Sequence, residues 1–302
     1  MTSDLKSKIA ERVARIETTP AIPAIFLPLL EMLNAPPDEV KLDKVVELVS
    51  YDNTIAAQCL RVANSPLFGM TKSPASIKGA VISLGLRRVE TILLTCCLSQ
   101  AFPARNWIID PGVFWRHSLG CAMVCRKFSE RLKGVDGDEA YMAGLLHDIG
   151  FLVNCLIFPD EFSLAMERAH KSGIPFDEAE RETMGFTHEE TGFALAKQWH
   201  LGPKIAQVIA HHHAPEQSDA KPLAALVHLS DLMCRMRGLG YGYYETRRVD
   251  LPDSPAWNLL LEEHCELDGV DLVHFTFELD GWVGEICELV SAIFGASAAA
   301  KA

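Results

Sequence analysis

No run in this chain alternates apolar and polar residues for long enough to make a core strand. Almost every segment instead repeats its apolar residues at i, i+3, i+4 and i+7, the period of a helix with one buried face. Breaks are dense: Pro36-Pro37, Asn64-Ser65-Pro66, Gly134, Gly137, Gly173, Gly202-Pro203 and the run GLGYGYY at 238–244. The pattern predicts an all-α fold of many short helices, at 4–17, 24–33, 42–50, 53–63, 77–84, 86–102, 112–131, 138–147, 158–171, 176–184, 188–199, 203–212 and 222–237, with two or three more before Ile293. A short piece at 273–277 is the one strand candidate, and the ASAAAKA tail reads as a frayed end. A soft boundary near 103–110 divides a first helical lobe from the rest.

Composition narrows the functional classes. The 302 residues are 49% hydrophobic and 23% charged, an ordinary balance for a globular chain with a sizeable core. A net charge of −12 argues against a nucleic-acid surface, which needs clustered Lys and Arg. The first residues, MTSDLKSKIAERVARIE, are amphipathic and charged, unlike a signal peptide, and no run of 18 apolar residues predicts a membrane span. Nine cysteines form no C-x-x-C pair and lie mostly in apolar helical runs, as expected for reduced thiols in the cytoplasm.

Every residue type suited to holding a metal through nitrogen or oxygen, at an inward-facing position, lies after the soft boundary. His117 shares a helical face with Val113, Gly120, Cys121 and Val124. His147 and Asp148 close DEAYMAGLLHDIG; adjacent helical residues diverge by about 100°, so they can meet one ion only over the seam where Ala143 and Gly144 admit a neighbouring helix. Thr187-x-x-Glu190 fits a capping box, which puts His188 at the first position of a helix, where the dipole favours a neutral ring. Ile205, Val208, Ile209 and His212 make one stripe; it selects His212 over His211, and His213 at the helix end can lean toward the same point. Asp231 lies inward with Ala224, Val227 and His228, the last a candidate partner or substitute ligand. A buried His or Asp without a partner is costly. Seven of them (His117, His147, Asp148, His188, His212, His213 and Asp231) therefore predict one or two divalent transition-metal ions, with iron, manganese and zinc all suited to the donors.

The order H…HD…H…HH…D, with the string GLLHDIG, resembles the HD superfamily of metal-dependent phosphohydrolases. That resemblance implies a four-ligand core of His117, His147, Asp148 and Asp231, and His188, His212 and His213 match the extra ligands of the HD-GYP branch, which hydrolyses cyclic di-GMP. The first half narrows the likeness. IPAIFLPLLEMLNAPPDEVKLDKVVELVSYDNTIAAQCLRVANSPLFG, then SIKGAVISLGLRRVETILL, then TMGFTHEETGFALAKQWHLGPKIAQVIAHHHAPE, together resemble an HDOD domain, the HD-related output domain of bacterial signalling proteins. The implied organisation is an N-terminal helix at 1–17, an HDOD domain at 18–217 with a helical lobe to about 105 and a metal-bearing part from about 106, and a helical extension at 218–302 that completes the HD-like core. Two departures stand out. Phe151 occupies the place where the HD-GYP pattern has a lysine after HDIG, and the chain continues HHHAPEQSDAKP with no G-x-G-Y-P.

The expectation is a cytoplasmic signalling module that keeps an HD-type metal site and acts through a signalling protein partner or a nucleotide-like ligand, without nucleic acid or membrane. The alternative is a nucleotide or cyclic-dinucleotide phosphodiesterase in which His147 and Asp148 serve catalysis through a metal-activated water. Lys197, Lys204, Arg116 and Arg181 are its candidate phosphate contacts. An oxygen-activating di-iron enzyme would use the same ligand types.

Overall fold

The computed structural model describes residues 24–35, 39, 41–65, 73–102, 107–241 and 251–294. Among them every regular element is a helix. The expected helix at 4–17 and the Pro36-Pro37 break lie outside the described residues. The chain divides into two compact units, residues 19–105 with 281–302, and residues 106–280 with 1–18.

The first of these units contains α1 (Phe26–Asn34), α2 (Leu42–Ser50), α3 (Asn53–Ala63), α4 (Ile77–Leu84) and α5 (Leu86–Ala101). Caps set their starts. Asp52 accepts the N–H groups of Thr54 and Ile55 at 2.9 and 3.0 Å, and Ser76 accepts that of Gly79 at 3.0 Å. Helix α5 is buried almost all round, from Val89 through Leu98, and α1, α3 and α4 pack on it.

The other unit is built on α6 (Pro111–Ser129), which Asp110 caps and Pro111 opens. Phe114, Trp115, Leu119, Val124 and Phe128 are all buried along it, each contributing roughly 1.5–3 kcal/mol by leaving water. After it come α7 (Gly137–Leu146), α8 (Ile149–Ile157), α9 (Pro159–Ser172), α10 (Phe176–Thr183), α11 (His188–Gln198), α12 (Pro203–His211), α13 (Lys221–Met236) and α14 (Pro255–Glu263). Helix α15 (Leu272–Phe294) runs from this unit into the first, the division falling at 280/281.

Two expectations are corrected. Residues 273–277 are helical: Leu272, Phe275 and Leu279 are buried while Val273 and Phe277 face solvent, a helical spacing that a five-residue window hides. Residues 149–157 carry a helix that periodicity does not announce, because IGFLVNCLI is apolar on all sides and buried on nearly all of them. With α7 it forms the one stretch among the described residues, 137–157, apolar and long enough to cross a membrane, but it is interrupted at His147-Asp148 and is largely interior.

Two glycine contacts bring together the helices that carry the candidate ligands. A Cβ on Gly144 would lie 2.8 Å from the backbone of Cys121, so α6 and α7 touch there, at the seam expected beside Ala143. A Cβ on Gly150 would lie 1.9 Å from the His188 carbonyl oxygen and 2.5 Å from Gly192 N, so α8 and α11 cross backbone to backbone.

Candidate metal centre

All seven expected ligands converge. The divergence between His147 and Asp148 is removed by a break in the helix: His147 keeps helical dihedrals, and Asp148 moves to φ −100°, ψ 16° before α8 begins. The Asp148 carboxylate then faces two clusters at once. Its Oδ2 lies 3.4 Å from His117 Nε2 and 3.1 Å from His147 Nε2, and Asp231 Oδ1 is 3.2 Å from the same His117 nitrogen. Its Oδ1 lies 3.1 Å from His212 Nε2 and 3.5 Å from His188 Nε2, which is 3.0 Å from His213 Nε2. His117, Cys121, His147 and Asp231 form one group of candidate donor atoms, and Asp148, His188, His212 and His213 a second. Only His213 among the seven is more than marginally exposed.

Hydrogen bonds behind the rings fix which nitrogen points inward. The Nδ1 atoms of His117, His147 and His212 lie 3.0, 2.8 and 3.1 Å from the carbonyl oxygens of Leu239, Gly144 and Ile209. A carbonyl only accepts, so each Nδ1 carries a proton and each Nε2 is the ring nitrogen that faces the centre. His188 uses a carboxylate instead. Glu180 Oε2 accepts both its N–H at 2.9 Å and its Nδ1 at 2.6 Å, and Asn154 donates to Glu180 Oε1 at 2.8 Å. His147 Nε2 and Asp231 Oδ1 are buried with no hydrogen-bond partner. They make ion-pair contacts, to Asp148 and His117, but no hydrogen bond, and such buried donor atoms among imidazoles and carboxylates fit transition-metal ions.

The electrostatics follow from burial and neighbours. Burial opposes charge on His117, but Cys121 and the carboxylates of Asp148 and Asp231 outweigh it and raise its pKa well above the usual range. Burial likewise opposes charge on His188, and Glu180 overrides it, lifting the ring to about 10. Burial lowers His147. Burial, with His212 and His188 beside it, lowers His213. Asp148 and Asp231 are held well below the carboxylate range against their burial, the first mainly by His147 and the second mainly by Arg235, whose guanidinium lies 2.6 Å from Asp231 Oδ2. Two buried carboxylates are thus kept ionised by the guanidinium and imidazoles around them.

Several neighbours escape a reading by helical faces. Glu180 sits in FDEAERET, a stretch whose charges resemble a solvated face, yet it is fully buried. Tyr241 falls in the glycine-rich run read as a break; its hydroxyl donates to Asp148 Oδ2 at 2.8 Å and its ring stacks on Phe151 at 4.7 Å. His228 lies outside both donor groups; its Nδ1 bonds the His212 carbonyl at 2.8 Å, behind that candidate ligand. Of the candidate phosphate contacts, Lys204 pairs with Glu139 and Arg181 with Glu190, Lys197 lies over Phe193, and Arg116 is buried in α6. Arg235, one turn after Asp231, is the basic side chain that the structure puts beside the cluster.

Glu180→Gln is expected to weaken the half of the centre that contains His188 by about 10–100-fold, the usual effect of removing a partner behind a ligand. Competition with a chelator measures it. The half containing His117 should keep its affinity; equal weakening of both halves refutes a local role for Glu180.

The comparisons agree with this architecture. The HDOD domain family matches residues 19–215, so the chain belongs to the HDOD family. An HDOD domain protein of unknown function from Geobacter sulfurreducens is 29% identical, with a TM-score of 0.80 over 95% of this chain and 99% of that one. A candidate phosphohydrolase from Shewanella amazonensis shares the fold at 21% identity and a TM-score of 0.73, covering 93% of this chain and 97% of that one. An uncharacterized protein of Treponema pallidum is 27% identical over 239 residues, 76% of this chain, which spans 45% of that relative's length. The family match ends before Asp231, which α13 brings to the cluster.

Proposed function

We propose that this chain is a regulatory HDOD module whose metal centre holds α6, α7, α8, α11, α12 and α13 in one arrangement and so presents a surface to a signalling protein or nucleotide-like ligand. The observation that carries this reading is the covering of the bridging carboxylate. Tyr241 is hydrogen-bonded to Asp148 Oδ2, and Phe151, where a phosphate-contacting lysine would be expected, stacks against Tyr241 and against Phe162 and Phe176. An anionic ester approaching Asp148 from that side meets aromatic faces rather than cations. Bound ions would supply cross-links between helices and neutralise Asp148 and Asp231. His117, His147 and Asp231 would hold one ion, His188, His212 and His213 the other, with Asp148 shared.

The runner-up is a metal-dependent phosphohydrolase, favoured by the shared Asp148 and the nearby Arg235. Two ions bridged by a carboxylate are an arrangement that activates water and clamps phosphate oxygens. In that case His147 and Asp148 orient the centre, and Arg235, paired with Asp231, is a cation beside it.

One experiment separates the two. The purified protein is loaded with manganese, zinc or iron, its metal content measured, and turnover of a generic phosphodiester and of cyclic dinucleotides compared with that of His147→Ala and Asp148→Ala. The regulatory module is expected to bind metal and to show no turnover above either variant. Turnover lost in both variants, with their folds intact, replaces it with the hydrolase. A protein that takes up no ion ends both.

A further inference from the structure

Cys121 lies one helical turn after His117 on the same face of α6, the i, i+4 spacing at which two side chains of one helix can bind the same ion. It is fully buried, and its Sγ is 3.6 Å from His117 Nε2, the ring nitrogen that faces the cluster. The same donor group includes His147 Nε2 and Asp231 Oδ1, both buried without a hydrogen-bond partner. The other group around Asp148 contains imidazole and carboxylate only. The two halves of the centre therefore differ in chemistry: one has a sulfur donor within reach and the other has none.

We propose that Cys121 is a metal ligand, giving its thiolate to the ion held by His117, His147 and Asp231, so that the centre has one sulfur-bearing half and one nitrogen–oxygen half. The proposal rests on the metal centre itself being real. On coordination the sulfur exchanges its proton for the ion, and the proton leaves to solvent. A soft thiolate favours zinc and iron over manganese, whereas three imidazoles with one carboxylate accept any of them. The halves should then take up different metals from a mixture, manganese entering only the His188 half. Cys121 would also occupy a coordination position on the first ion, which leaves the second, beside half-buried His213, as the one with room for an outside ligand.

The test is spectroscopic and independent of any activity. Full-length protein is loaded with cobalt(II) alone, its cobalt content measured, and its absorption compared with those of Cys121→Ser and Cys234→Ser; Cys234 is the neighbouring buried thiol on α13. Wild type and Cys234→Ser are expected to show a thiolate-to-cobalt charge-transfer band, and Cys121→Ser to lose it while still binding cobalt. Bound cobalt without the band in wild type, or a band that survives Cys121→Ser, overturns the Cys121 ligand and leaves the metal centre standing. No bound cobalt overturns both. Should Cys121→Ser fail to fold, X-ray absorption of the zinc-loaded wild type decides: a sulfur shell at about 2.3 Å supports the thiolate, and nitrogen and oxygen scatterers alone refute it.

Discussion

Asp148→Ala should abolish the stabilisation that metal ions give this protein. Asp148 is the one residue whose two oxygens face different clusters, one toward His117 and His147 and the other toward His188 and His212. Any other ligand serves one half. Removing this carboxylate therefore weakens both, and at the first cluster it leaves Asp231, paired with Arg235 and His117, as the remaining carboxylate. The size of the effect is set by mass action. Each ion at about 100 times its dissociation constant stabilises the wild type by about 2.7 kcal/mol. For a unit of this size that corresponds to roughly 5–11 °C in Tm. Melting curves with manganese, zinc and chelator measure it directly. The wild type should show the metal-dependent rise and Asp148→Ala should show none, with helical content unchanged at low temperature. A variant that keeps the full rise would mean that Asp148 bridges nothing.

The helical character of the chain and the convergence of the seven candidate ligands are legible in the sequence because both are properties of local faces. His212 could be separated from His211 because Ile205, Val208 and Ile209 mark the buried side of α12, and the structure buries His212 while leaving His211 half-buried. His188 could be put at a helix start because Glu190, three residues after Thr187, accepts that residue's N–H at 2.9 Å. What stays hidden depends on partners far away in sequence. Glu180 looks like surface until α11 brings His188 against it. Tyr241 looks like loop until its hydroxyl reaches Asp148, 93 positions earlier. Cys121 looks like packing until His147 and Asp231 arrive from α7 and α13. Helix α8 fails for the opposite reason: surrounded on all sides, it has no polar face to set a period.

Gly150→Ala is the substitution expected to cost the fold most. A methyl group there would stand 1.9 Å from the His188 carbonyl oxygen and 2.5 Å from Gly192 N, and neither atom belongs to a side chain that can swing away. Relief requires α8 and α11 to separate, and across that crossing Asp148 Oδ1 meets His188 Nε2 at 3.5 Å. The crossing is tight from the other side too, since a Cβ on Gly192 would lie 3.1 Å from Gly150 N. Overpacking of this kind costs about 3 kcal/mol or more when backbone must move. Gly281→Ala is the matched control: that glycine lies exposed within α15, and an added methyl group would meet nothing within 4 Å. Alanine there should stabilise the helix by about 0.5–1 kcal/mol. Denaturant melts of the two variants should therefore move in opposite directions from wild type, and Gly150→Ala should also lose the ion held by His188, His212 and His213. Equal midpoints for the two variants would show that α8 and α11 do not cross as closely as the glycines indicate.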